Sequence, residues 1–143
     1  MNAVLLIGRI LFGGFFVMSG INHFTKLDAM TNYAKYKKMP VHPEKFGVLL
    51  SGLMILVGGL FILFGYYADL GAILIAAFLL FASIMFHNFW SIEDAATKQT
   101  EEMGFMKNMA LLGASLMIFA LVAKHSDLSF GWVISKGHLA LFK

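Results

Sequence analysis

The sequence predicts an all-α protein, a four-helix transmembrane bundle with a short interfacial helix between the first and second spans. Three observations predict it. Of the 143 residues, 59% are hydrophobic and only 13% charged, where soluble domains carry about 25% charged residues. A soluble fold of this size has too little interior to hide so much apolar surface, so the solvent is lipid. The apolar residues also gather in four long runs. Each comes close to the roughly 20 residues that a helix rising about 1.5 Å per residue needs to cross the hydrocarbon. Finally, the runs do not alternate apolar with polar residues, which argues against the strands of a membrane barrel.

The expected spans cover residues 3–24, 46–67, 70–90 and 105–123, within a single integral membrane domain of residues 1–143. The first run has the position of a signal peptide. Its leading residues are only "MN", however, Arg9 interrupts it and no A-x-A-like site follows, so it reads as a retained span. The second and third runs are joined by "GYYADLG", a connection short enough to make them antiparallel neighbours. Between the first two lies "TKLDAMTNYAKYKKMPVHPEK". Asp28 can cap a short helix there, and Pro40 and Pro43 end it. Met30, Tyr33, Ala34 and Tyr36 mixed with Lys35, Lys37 and Lys38 suit a helix lying on the membrane surface. "SIEDAATKQTEEMG" reads as an acidic loop. The stretch from Lys124 to Lys143, with Phe130, Trp132 and Phe142, reads as a tail resting at the interface. Gly13 with Gly14, and Gly58 with Gly59, sit in similar surroundings. They read as small residues that let helix backbones approach in lipid, in preference to the trace of a duplication.

Charge and cysteine content narrow the function. The chain has no cysteine, which removes disulfides, thiol redox chemistry and cysteine-ligated clusters or zinc. The net charge is +3, and the lysines lie mostly in one loop beside the membrane rather than on a base-reading face, so nucleic acid is not expected as a partner. Lys26, Lys35, Lys37, Lys38, Lys45 and Lys98 share one side of the membrane, with Lys107 just inside the fourth run. The positive-inside bias then places the long loops in the cytoplasm.

The polar residues within the spans are few. Arg9 lies inside the first run and can snorkel or pair; Asp69, in the turn on the same side, is the expected partner in a structural ion pair. The opposite end is richer. Asn22, His23 and Lys26 end the first span, His87 and Asn88 end the third, and Lys107 and Asn108 begin the fourth. Alternation of four spans brings all seven to one interface as a candidate ligand-binding set. No carboxylate lies inside the expected spans, so the set reads as donor-rich and partly cationic, suited to a quinone carbonyl, a lipid headgroup or a small oxyanion. Taken singly, these residues have plainer roles. Trp90 is an interface anchor, the lysines snorkel, and the Phe and Met stripes are packing. Convergence from three helices is what raises them to a site.

The run "MFHNFW", an acidic linker and "FMKNMALLGASLM" resemble the DoxX family of small four-span membrane proteins. "IGRILFGGFFVMSGINHF", "YAKYKKMP" and "LLSGLMILVGGLFILFG" resemble its first span, first loop and glycine-rich second span. Many members carry a Glu about one turn before the second glycine pair; this chain has Met54 and Ile55 there. The resemblance implies a protein of the prokaryotic inner membrane. It also implies association with redox complexes, since some relatives are subunits of thiosulfate:quinone oxidoreductase.

The expected function is therefore an accessory subunit of a redox-linked membrane assembly, with quinone as the candidate cofactor. The expected partners are the lipid bilayer, a redox protein and a second copy of the chain. The alternatives are a non-enzymatic scaffold, chaperone or small-molecule carrier, and a mono-haem protein with His23 and His87 as axial ligands. With neither cysteine nor an acid within the spans, catalysis by this chain alone is not expected.

Overall fold

The computed structural model describes residues 3–124. Its helices are α1 (Ala3–Thr25), α2 (Leu27–Tyr36), α3 (Glu44–Phe64), α4 (Ala68–Phe86) and α5 (Ala95–Lys124), with one 3-10 turn at Phe89–Ser91. All four of α1, α3, α4 and α5 are long and apolar enough to cross a membrane, and α2 is the short helix expected between the first two. The expected interfacial tail falls, beyond Lys124, outside the described residues.

Two boundaries that matter for the site differ from the sequence reading. The helix α5 starts at Ala95 rather than near residue 105. The side chain of Asp94 accepts from Thr97 N at 2.8 Å and from Thr97 Oγ1 at 2.6 Å, which caps the helix. Most of the apparent acidic loop is thus the first turns of α5, built from good helix formers such as Ala95, Ala96, Gln99 and Glu101. The helix α4 ends at Phe86, short of Trp90. His87 is its C-cap, and Asn88 turns the chain by donating to Ser91 Oγ at 2.9 Å. A smaller difference is at α2, where Asp28 lies in the first turn behind Lys26 as cap. A carboxylate there still favours the positive end of the helix.

The helix α1 lies against α3, α3 against α4, and α4 against α5. Glycines set the closest approaches. A Cβ on Gly13 would come within 2.8 Å of Leu63 N, and one on Gly59 within 2.8 Å of Val17 N. Gly58 faces α4 instead, where a Cβ would meet Gly71 O at 2.9 Å, while Gly14 has open space. The packing reading of the glycine pairs holds for the other three, because small residues let helices gain close contact where lipid offers no hydrophobic drive. Phe16, Ile55, Ile62, Ile75 and Leu79 fill the centre. A second cluster of Ala34, Met39 and Val48 seats α2 on α3. Leu11, Met18, Leu53 and Ile84 point outward and exposed, as lipid-facing side chains do. The helices α1 and α5 are not a closely packed pair. Their seam holds a cavity at each end of the bundle.

Candidate functional site

At the α2 end, side chains from every long helix and from α2 enclose a cavity of about 290 Å³. Its polar wall comprises Ser19 and His23 from α1, Ser51 from α3, His87 after α4, and Lys107 and Asn108 from α5. Its apolar wall includes Phe15, Phe78, Phe81 and Phe86, with Met30, Tyr33 and Met39 closing it from the α2 segment. The volume sits at the small end of the roughly 300–1,000 Å³ usual for ligand pockets, and the mixture of aromatic walls with few polar groups is typical of them.

Local structure places each histidine. His23 is in the last turn of α1, where Nδ1 is 2.8 Å from Ser19 O, and Phe78 stands edge-on to the ring at 6.0 Å. Gly52 makes room for it, since a Cβ on that residue would lie 2.5 Å from His23 Cβ. His87 has left the helix and turned toward α5. Its Nδ1 is 2.7 Å from Glu101 Oε2, and its ring lies against Gly104, where a Cβ would come within 2.5 Å of Nδ1. The other oxygen of Glu101 receives Lys37 Nζ at 2.9 Å. A carbonyl and a carboxylate can only accept, so both imidazoles donate from Nδ1. In the neutral ring this makes each Nε2 an acceptor, and neither Nε2 enters a described hydrogen bond.

The carboxylate corrects the sequence reading. The set is not simply donor-rich and cationic, because Glu101 balances Lys37 and faces His87. Hydropathy places Glu101 outside the expected spans, in the apparent loop before residue 105, where an acid does not count toward the site. The signal that could have found it is helical spacing, since Glu101, Phe105 and Asn108 fall on one face when the helix is run back from residue 105. Tyr33 was read as an interfacial residue, yet its ring stacks on Phe86 at 5.7 Å and Lys37 Nζ lies 5.7 Å from its centroid. Partial burial raises the Tyr33 phenol above its usual range, although Lys37 pulls the other way. For Lys37, burial is the largest single influence and opposes the charge, but the hydrogen bond to Glu101 and the attraction of Glu101 and Tyr33 together outweigh it, and the pKa ends above its ordinary value.

Of the seven residues expected at the site, four line the cavity: His23, His87, Lys107 and Asn108. Three do not. Lys26 is exposed and caps α2, the carbonyl of Asn22 accepts from Lys26 N at 2.9 Å, and Asn88 serves the turn. Each is close in sequence to a lining residue, but the helix end directs it elsewhere.

At the opposite end Arg9 is 5% exposed. Its Nε donates to Ile62 O at 3.0 Å and its Nη2 to Leu63 O at 2.8 Å, both carbonyls of the last turn of α3, where Ile62 O also accepts from Gly65 N at 3.2 Å. A cation there also suits the negative end of the α3 dipole. Neither bond reaches Asp69, the expected partner. That side chain is buried in the first turn of α4, with Oδ1 accepting from Leu70 N at 2.8 Å. Backbone carbonyls thus stand where the sequence reading put a carboxylate. Gly65 completes the arrangement. It ends α3 with φ of +67°, and a Cβ would lie 2.8 Å from Arg9 Nη2, so the turn needs glycine on both counts.

Fold and pocket together define a four-span helical membrane protein with an aromatic, histidine-lined cavity at one end. The chain belongs to the DoxX family, whose model matches residues 4–88, more than half of the sequence. The match covers α1 to α4 and both histidines, and stops before Glu101, Lys107 and Asn108. No curated protein and no solved structure matches the chain.

Proposed function

We propose that the α2-end cavity binds the head of a quinone or quinol, and that the chain serves a redox-linked membrane assembly as the binding subunit. The observation that carries this is the pair of Nδ1-donating histidines on one aromatic-walled cavity. Their Nε2 atoms accept from the hydroxyls of a quinol, while the Asn108 amide and Lys107 donate to the carbonyls of a quinone. A small oxyanion suits the site less, since the Glu101 carboxylate stands beside His87 and repels an anion. A cavity of about 290 Å³ takes a single ring more readily than a porphyrin. Exposed Lys35, Lys38 and Lys45 near exposed Glu93, Asp94 and Glu102 give this end a mixed charged rim on which a soluble redox protein can dock. We place this end in the cytoplasm on the strength of its lysines.

The test uses the detergent-purified chain and short-chain ubiquinone and ubiquinol. Binding should raise the melting temperature, with a saturable dependence on concentration. His23→Phe and Asn108→Leu should weaken it at least tenfold. Equal binding by both variants would remove the reading, as would a Soret band with bis-histidine character in the purified protein.

A further inference from the structure

The cavity at the other end of the α1–α5 seam has a different chemistry. It measures about 300 Å³ and is lined by Val4, Leu5, Gly8 and Phe12 of α1, and by Ala114, Met117 and Ile118 of α5, among others. Arg9 is the single charged residue among the described residues of that wall. Two of its nitrogens are held by α3 carbonyls, which are neutral. The third, Nη1, is buried and makes no hydrogen bond among the described residues. A buried donor without a partner costs on the order of 1–3 kcal/mol, more when charged. Asp69 does not line this cavity, although Ala68 does.

We propose that this cavity is a binding site for an oxyanion-headed acyl lipid, whose head oxygen accepts from Arg9 Nη1 while its chain lies between α1 and α5. The wall fits that occupant on two counts. Apart from Arg9 it is hydrocarbon, which receives a chain, and the one polar group it offers is a cation with a spare donor. An anion both completes the guanidinium's hydrogen bonds and balances a charge that neutral carbonyls leave standing in a low-dielectric wall. A neutral carbonyl would meet only the first need. The carboxylate of a fatty acid and the phosphate of an anionic phospholipid share this chemistry.

Native mass spectrometry of the full chain in an uncharged detergent separates the sources. The chain is titrated with palmitate, phosphatidylglycerol and phosphatidylcholine. One equivalent of palmitate or of phosphatidylglycerol should bind at least fivefold more tightly than phosphatidylcholine, and whichever does identifies the source. Arg9→Gln should abolish that preference. Since Arg9→Gln removes a helix cap as well, Gly8→Phe provides an independent arm. Position 8 has nothing within 4 Å of a Cβ, so the ring can enter the cavity while Arg9 stays. Gly8→Phe should reduce anionic lipid binding at least fivefold, and His23→Phe should leave it unchanged. The proposal is overturned if all three lipids bind the wild type alike, or if Gly8→Phe binds the anionic lipid as the wild type does.

Discussion

At the α2 end, Lys37, Glu101 and His87 balance one another through side chains drawn from three separate parts of the chain. At the other end, Arg9 is held by the backbone of a single helix terminus. The contrast teaches which polar groups are structural and which remain available. Carbonyls at a helix end must be satisfied in lipid, so the Nε and Nη2 of Arg9 are committed to the fold. The side-chain cluster is partly exposed, and it leaves His87 Nε2 outside any described hydrogen bond. Both cavities are lined by α1 and α5, which do not pack closely against each other.

Substitutions should separate the two ends, and the largest effect falls on Arg9. Arg9→Gln loses two charge-assisted bonds inside the bilayer, each worth roughly 1.5–3 kcal/mol. Thermal melting in detergent should show a loss of about 3 kcal/mol, with the pocket's quinone affinity intact. Lys37→Gln should cost less than about 1 kcal/mol, as expected of a peripheral ion pair. Equal losses would break the comparison.

Gly65→Ala comes next. The positive φ and the nearness of Arg9 should together cost about 1–2 kcal/mol in the same melt. Gly104→Ala meets only the movable ring of His87, so it should change stability less while weakening quinone binding severalfold. A Gly65→Ala protein as stable as the wild type would show that Arg9 is not fixed as described.

Glu101→Gln should have a smaller effect on stability, under about 1 kcal/mol, but should loosen α2. Hydrogen exchange over residues 27–36 should rise, and the rise should not depend on ligand. The linkage has a definite sign. The folded Lys37 pKa lies above its ordinary 10.5, so its contribution is complete below that value and is lost as pH rises through the folded pKa. Wild-type α2 protection should therefore be insensitive to Lys37 titration at neutral pH and should fall at strongly alkaline pH. Smallest of all is Trp90→Phe. Trp90 is exposed and touches Phe89 and Phe105 edge-on, so a change within about 0.5 kcal/mol and unaltered binding are expected.

The four membrane-crossing helices were legible because hydrocarbon length is imposed by the bilayer, and a run such as residues 70–90 records it directly. His23, His87, Lys107 and Asn108 were legible by depth, since alternating spans bring the same ends together. What escaped the reading did so for physical reasons. A helix can continue past the hydrocarbon, and hydropathy alone does not reveal it, so the sequence puts Glu101 in a loop. A surface helix can fold back over a pocket, as Tyr33 shows by stacking on Phe86. Backbone acceptors have no letter of their own in a sequence, so Arg9 was given the nearest carboxylate, Asp69, in place of Ile62 O and Leu63 O.

The central claim, that the α2-end cavity takes the quinone ring, is tested most directly by a photoreactive short-chain quinone crosslinked to the wild-type chain in lipid nanodiscs. Peptide mapping should place the label on residues 15–23 of α1, residues 78–87 around the end of α4, or residues 107–111 of α5, and excess unlabelled ubiquinone should compete it away. Label confined to residues 4–12 and 114–121, or spread along lipid-facing positions without competition, would contradict the account.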